Sequence, residues 1–213
     1  MNFDRLAPVY RGMERMMAGG LLQRCRTAFL AEAAGRRRAL LLGEGPGRFL
    51  VELLRTQPDL EITCVERSPA MIRAATVQAR RGRLNLSRVR FESADALAWV
   101  PPAGGFDLIA SHFFLDCFPP AELAQLVRQI GSWATANARW LLADFQIPAR
   151  GWRRLRATAV HRLMYAFFRA ATGLPADRLT PPDPFLQAAG FRLKERRHFN
   201  FGLLHSDLWQ NGS

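Results

Sequence analysis

Short apolar runs of strand length alternate with stretches of helical period along most of this chain. Residues 39–42 are apolar throughout and 47–56 repeat at helical spacing. The same pair recurs at 61–66 and 69–80, and 88–92, 106–111 and 138–144 read as further strands, with a helix over 120–135 between the last two. Such alternation predicts a mostly parallel sheet covered on both faces. Helical segments near 11–34 precede the first strand. After Asp144 the rhythm changes to a long helical stretch over 151–172, Pro181-Pro182, a short helix over 184–189, and two strand-like runs at 191–199 and 202–209.

The first strand runs into Gly43-Glu44-Gly45-Pro46-Gly47, and the second, Ile62-Thr63-Cys64-Val65, ends on Glu66-Arg67-Ser68. Glycines let a strand-to-helix turn come close to a ligand, and the helix start offers unpaired N–H groups. An acid one strand over accepts hydrogen bonds from ribose hydroxyls. Glu66 stands nineteen positions after Gly47, near the ~20 expected of that acid. Three alternate glycines also occur in plain tight turns, so the residues after them decide the reading. A dinucleotide fold requires Gly-x-Gly-x-x-Gly, and Leu50 occupies the last of those positions.

On these residues the chain resembles the class I S-adenosylmethionine-dependent methyltransferases. Their first motif reads apolar-apolar-acid-apolar-Gly-x-Gly-x-Gly, and their second strand ends in a ribose-binding acid followed by Ser-x-x-Met. Glu66 with Ser68-Pro69-Ala70-Met71 fits that continuation. One position departs: Leu41 stands where the family carries an acid. Glu44 is the nearest carboxylate, and it either takes over the methionine amino group or is a solvated loop acid. The resemblance extends over residues 39–209. It implies S-adenosylmethionine as cofactor, S-adenosylhomocysteine as product and no metal. It also implies a doubly wound α/β fold: a mostly parallel seven-stranded sheet with an antiparallel C-terminal hairpin, N-terminal helices over 1–35 as a lid, and a helical cap over 151–180 after strand five. Gly190-Phe191 matches the start of that closing hairpin. The opening Asn2-Phe3-Asp4-Arg5-Leu6-Ala7-Pro8-Val9-Tyr10 resembles that of the quinone-biosynthesis methyltransferases, where the segment lies across the cofactor. Tyr10 is thereby a lid candidate, with simple packing as the alternative.

In an open parallel sheet, ligands lie beyond the carboxyl ends of the strands. Strand ends therefore nominate Gly43, Glu44, Gly45 and Gly47, then Glu66, Arg67, Ser68 and Met71, then Asp95 and Ala96, then Ser111 as cofactor contacts. The resemblance gives Asp95 the adenine amino group. The fourth strand runs into His112-Phe113-Phe114-Leu115-Asp116-Cys117-Phe118, which should face the transferred methyl. Phe113 and Phe114 supply an apolar wall, and His112 and Asp116 are candidates to orient or deprotonate an acceptor. A backbone hydrogen bond for His112 and a helix cap for Asp116 are the structural alternatives. Over 151–172, Trp152, Leu155, Leu163, Met164, Phe167 and Phe168 are too apolar for a bare surface helix. They are expected to pack on the domain and line a pocket, with Trp152, Tyr165 and Phe167 as substrate contacts. The arginines among them also fit a helix lying on a membrane surface, against a soluble cap.

Charge changes the picture less than its size suggests. The chain carries 30 basic and 18 acidic residues, a net +12, which ordinarily points to polyanions. Yet Lys194 is the only lysine, an arginine bias that GC-rich coding produces without selecting a partner, and the basic groups are dispersed. Cys25, Cys64 and Cys117 are odd in number and scattered, which predicts neither a disulfide framework nor a zinc site. No apolar run reaches the ~20 residues that span a bilayer, and the first residues lack a signal-peptide core, so a cytoplasmic location is expected.

The expected function is transfer of a methyl group from S-adenosylmethionine to a small, partly apolar O, N or S acceptor by a single domain of 213 residues. The sulfonium already makes that methyl electrophilic, so alignment and water exclusion are the protein's main tasks. An RNA methyltransferase and a non-catalytic cofactor-binding scaffold on the same fold are the other classes. Against the first, no Asn/Asp-Pro-Pro-Tyr/Phe tetrad follows the fourth strand.

Overall fold

A computed structural model describes residues 20–102, 105–173, 176 and 178–212. In chain order these form α1 (Gly20–Arg26), a 3₁₀ turn (Leu30–Ala33), β1 (Arg38–Leu42), α2 (Arg48–Thr56), β2 (Glu61–Val65), α3 (Pro69–Arg81) and β3 (Val89–Glu92). There follow β4 (Phe106–His112), a 3₁₀ turn (Leu115–Cys117), α4 (Pro120–Trp133), β5 (Ala134–Phe145), α5 (Gly151–Thr172), α6 (Asp183–Ala188), β6 (Phe191–Phe199) and β7 (Leu204–Asn211). Local chemistry fixes several of these boundaries. Ser68 Oγ accepts the Met71 N–H at 3.2 Å while Pro69 opens α3, a side-chain cap followed by a residue whose missing N–H costs nothing there.

The strands form one sheet in the order β3-β2-β1-β4-β5-β7-β6. β1 to β5 pair in parallel, and β7 is antiparallel to both its neighbours. The chain winds outward from β1 to β3 and then restarts at β4 on the other side. This reversal opens a crevice beyond the carboxyl ends of β1 and β4, where such sheets bind ligands. Alternate residues of the central strands serve opposite faces. Leu40, Leu42, Ile109 and Trp140 pack with Leu123, Leu126, Val127 and Ile130 of α4. Leu41, Leu108 and Ala110 pack with Phe49, Leu50 and Leu53 of α2.

The doubly wound sheet with its antiparallel hairpin is the expected fold. β5 begins at Ala134 rather than 138, however. Its first residues pair irregularly, the register jumping between Phe106 and Leu108 of β4, and Asn137 adopts φ +59°, a conformation asparagine tolerates better than most residues. β7 starts two residues later than expected because 200–202 form a turn, with Asn200 at φ +50° and Phe201 at φ +57°. A polar staple closes the hairpin: fully buried Asp207 accepts from Arg196 Nε at 2.7 Å, from His205 and from Trp209 Nε1, and Arg196 also reaches Asp183. Burial alone would raise the Asp207 carboxyl, but the Arg196 and His205 hydrogen bonds override it and hold it below its usual range.

α5 departs most from expectation. Ala157, His161, Met164 and Tyr165 are buried against the body, whereas Trp152, Leu155 and Leu163 face solvent and Phe167 is also exposed. A helix docks through a single stripe of roughly 100°, so an apolar sequence on every side cannot all be buried by one neighbour.

Candidate functional site

The glycine loop lies at the crevice, and its three glycines do different work. A Cβ on Gly43 would sit 2.2 Å from the Phe114 ring, and one on Gly47 would meet Ala75 Cβ at 2.7 Å, so both positions are closed by neighbouring protein. Gly45, at φ +60°, faces open space instead. Its N–H donates to Glu66 Oε2 at 3.0 Å, and Glu66 Oε1 accepts the Ser68 N–H at 2.9 Å. Glu66 is thus tied to the loop across the crevice mouth. Arg67 pairs with Asp95 at 3.4 Å, and Asp95 Oδ1 accepts the Leu97 N–H. Met71 and Ala96 are buried beneath. Ser111 is differently engaged, its hydroxyl accepting Trp140 Nε1–H at 2.8 Å, so only its place at the end of β4 relates it to the crevice. Tyr10 and residues 1–19 of the expected lid lie outside the described residues.

Leu41, where the family carries an acid, is fully buried core, and Glu44 is the carboxylate within the loop. The Glu44 carboxyl folds onto the start of α2, Oε1 accepting the N–H groups of both Phe49 and Leu50 at 2.9 Å. Burial pushes this carboxyl up to about 7, against the Leu50 hydrogen bond and the positive charge of Arg26, which favour ionisation. An open glycine, an acid on each side of it and a helix N-terminus suit a ligand with ribose hydroxyls and an ammonium group. A bound ammonium favours ionised Glu44, so affinity for S-adenosylhomocysteine should rise as pH climbs to about 7 and level off above it. Calorimetry across pH 5.5–8.5 checks this. Glu44→Gln should flatten the profile, and a pH-independent wild-type affinity would exclude Glu44 from the ammonium.

The segment after β4 forms the other wall. Phe113 holds φ +54°, rare for an aromatic residue. It is kept there by its N–H to the Ala143 carbonyl at 2.7 Å, by the Phe145 ring at 5.3 Å and by the Arg26 guanidinium 5.0 Å from its ring centre. Strain of this kind concentrates at functional sites. Phe114 packs edge-on against Phe118. His112 is buried with its ring edge-on to Phe49, and its Nε2 has no hydrogen-bond partner among the described residues. Burial, reinforced by Arg26, pushes His112 down to about 3. It is therefore a neutral hydrogen-bonding group at physiological pH.

Asp116 behaves oppositely. Its N–H donates to Asp144 Oδ2 at 3.1 Å, Cys117 Sγ donates to its Oδ1 at 3.6 Å, and Tyr165 of α5 donates to its carbonyl at 2.9 Å. Two buried carboxyls this close disfavour each other's ionisation. Burial raises both groups above the usual carboxylate range, and the charge of Asp116 raises Asp144 further. Of the three aromatic positions expected along α5, only Tyr165 is brought in. Trp152 stands 58% exposed beside Phe201, and Phe167 is 42% exposed.

Two residues at the site escaped sequence reasoning. Asp144 is the last residue but one of β5, so the strand-end rule that nominated Asp95 also reaches it. Arg26 lies in α1, where no motif marks it; only its charge near Glu44 and His112 reveals it.

Comparison with known proteins agrees with this geometry. Residues 39–136 match the methyltransferase domain family. The chain is 30% identical to a demethylmenaquinone methyltransferase of Deinococcus radiodurans, over 97% of this chain and 89% of that protein. It is 36% identical to the protein of the same name from Roseiflexus castenholzii, over 68% of this chain and 58% of that one. Among solved structures, mitomycin 7-O-methyltransferase MmcR superposes with a TM-score of 0.72 at 20% identity, covering 99% of this chain, which spans only 61% of MmcR. The N-methyltransferase NodS of Bradyrhizobium japonicum, in complex with S-adenosylhomocysteine, gives a TM-score of 0.62 at 14% identity, covering 97% of this chain and 89% of NodS. At these identities the structural likeness speaks for the fold.

Proposed function

We infer the reaction from family and site together. The chain belongs to the class I S-adenosylmethionine-dependent methyltransferases, near their quinone-biosynthesis branch, and is an enzyme that methylates a small molecule. The acceptor we propose is a phenol or hydroquinone ring carrying an apolar substituent. The buried Asp116–Asp144 pair behind the wall of Phe113, Phe114 and Tyr165 carries this reading. Relatives named demethylmenaquinone methyltransferase support it. A quinone is electron-poor and cannot attack an electrophile; its dihydroxy form can, once a hydroxyl proton is removed.

We read the chain as one methyltransferase domain, with 151–180 as its cap. S-adenosylmethionine, when bound, supplies an electrophilic methyl whose bond to sulfur breaks with its electron pair passing to sulfur. Glu66 takes the ribose hydroxyls, Glu44 the ammonium, Asp95 the adenine edge, and the loop at Gly45 passes close to the ligand. Ser68 and Met71 shape the wall below. On the acceptor side, Phe113, Phe114 and Tyr165 enclose the ring and exclude water, and neutral His112 offers Nε2 to orient a hydroxyl. Asp116 takes the hydroxyl proton, and Asp144 is a positioning residue that holds the Asp116 carboxyl and disperses its charge. The electron pair left on the ring oxygen makes that oxygen, or the conjugated ring carbon, the nucleophile; after attack through carbon, that carbon loses its ring proton and the electron pair of the C–H bond restores the aromatic ring.

Turnover of a panel of phenols, hydroquinones, thiols and amines tests the acceptor class. Preference for hydroquinones supports it, and exclusive methylation of amines or thiols would overturn it. Glu66→Ala should weaken S-adenosylhomocysteine binding at least about tenfold, since each hydrogen bond to a charged group is worth about 1.5–3 kcal/mol. Calorimetry reads this directly; an unchanged affinity removes Glu66 from the ribose.

A further inference from the structure

α5 carries two apolar stripes, and only one is used by the fold. Ala157, His161, Met164 and Tyr165 face inward and are buried. On the far side Trp152, Leu155, Ala159, Leu163 and Ala166 recur at steps of three and four, a continuous stripe at the helical period. Leu155 and Leu163 are each 75% exposed, and nothing among the described residues covers this face. Along its 22 residues the helix has no acid; by helical period Arg162 and Arg169 lie along one edge of the outer stripe and Arg156 along the other, and the Arg153 guanidinium stands 5.9 Å from the Trp152 ring centre. The patch continues beyond the helix. Trp152 lies 5.8 Å from Phe201, which is 62% exposed in the left-handed turn ahead of β7. Arg156 clamps that turn, donating to both the carbonyl and Oδ1 of Asn200, with its guanidinium 5.7 Å from the Phe201 ring centre. Backbone strain of this kind clusters at functional sites.

We propose that this face docks on an anionic lipid surface, with the outer stripe of α5 and the Phe201 ring at the headgroup boundary and the flanking arginines on lipid phosphates. Apolar side chains flanked by cations, on a helix without acids, are what such a surface selects. A second copy of the chain fits worse. Packing two of these helices stripe to stripe sets arginine against arginine, with no carboxylate on either helix to pair them. Nor is the net charge alone the cause, because charge gives no reason for leucine and tryptophan to stand in water.

Sedimentation of the full chain with vesicles tests this. Vesicles of phosphatidylcholine alone should bind little, and vesicles with phosphatidylglycerol should bind strongly, with binding falling as salt rises. Leu155→Gln/Leu163→Gln keeps the charge and removes the apolar contact, so its partition into the anionic vesicles should fall at least about tenfold. Calorimetry with S-adenosylhomocysteine establishes that the variant is folded. Arg153→Gln/Arg162→Gln should weaken partition and flatten its salt dependence. Equal partition of the leucine variant and the wild type would overturn the proposal in favour of charge alone. Absence of binding to anionic vesicles would overturn it too, as would a dimer in sedimentation equilibrium that the leucine variant dissociates. These readouts use no methyl transfer, so they stand or fall apart from the acceptor assignment.

Discussion

Gly45→Val should abolish detectable S-adenosylhomocysteine binding while the sheet remains folded. The three loop glycines differ in what surrounds them, and only Gly45 points into space that no protein atom occupies within 4 Å. A valine there fills the volume through which the ligand must pass, and its Cβ has no protein atom within 4 Å beyond its chain neighbours. Its cost to the fold is the left-handed backbone, about 1–2 kcal/mol, set against a typical stability of about 5–15 kcal/mol. Gly45→Ala carries the left-handed strain of a Cβ, less than that of β-branched valine, in a smaller volume and should retain weak binding. Gly47→Val, by contrast, drives into Ala75 and should damage the packing of α2 on α3. Calorimetry together with thermal melting decides the matter. A folded Gly45→Val protein that binds with unchanged affinity would remove the glycine loop from the cofactor site.

Asp116→Asn should lower kcat by about 10²–10⁴, the range attributed to a positioned base, and leave cofactor affinity within about twofold. The wild-type rate should rise with pH through the range in which the Asp116–Asp144 pair loses its proton. Since both carboxyls are raised, that range lies above the ordinary carboxylate values. The variant should lose this dependence and recover activity with acceptors acidic enough to ionise unaided, a rescue that a purely structural aspartate would not show. Asp144→Asn should shift the pH profile more than it lowers the plateau, as befits a group acting through Asp116. A loss under threefold in Asp116→Asn, with the profile intact, would reassign the proton to solvent.

The sheet was legible because its signals are local and redundant. β1, α2 and β2 each satisfy a period, a turn residue and a length at once, and the strand-end rule then lists most of the crevice without further information. The two ends of β5 show where legibility stops. Its irregular start depends on pairing with β4, a register set by tertiary contact rather than by Asn137 itself. Its last residue but one, Asp144, gains meaning only when Asp116, distant in sequence, is folded against it. Glu44 is a subtler case. Sequence offers it either as a stand-in for the missing acid at position 41 or as a solvated loop acid; that its carboxyl is bonded to two helix N–H groups, with a proton affinity that burial controls, is visible only in the fold. α5 misleads for another reason: hydrophobicity alone does not say how many faces a neighbour can cover, so Trp152 and Tyr165 look alike in sequence and stand on opposite sides in space.

The position of β7 also governs how the protein is made. The last strand in sequence is inserted between β5 and β6, so a growing chain cannot close its sheet until Asn211 has been added. Until then the edge of β5, with Trp140, Leu141 and Leu142 along it, offers unpaired backbone groups to any neighbouring strand. Arg196 has no Asp207 to hold, and β6 has no partner on either side. Synthesis from Phe145 to Asn211 takes on the order of 3–13 s at ordinary translation rates. During that interval the nascent chain carries an open, apolar template, and its escape from aggregation depends on how quickly translation delivers the final strand.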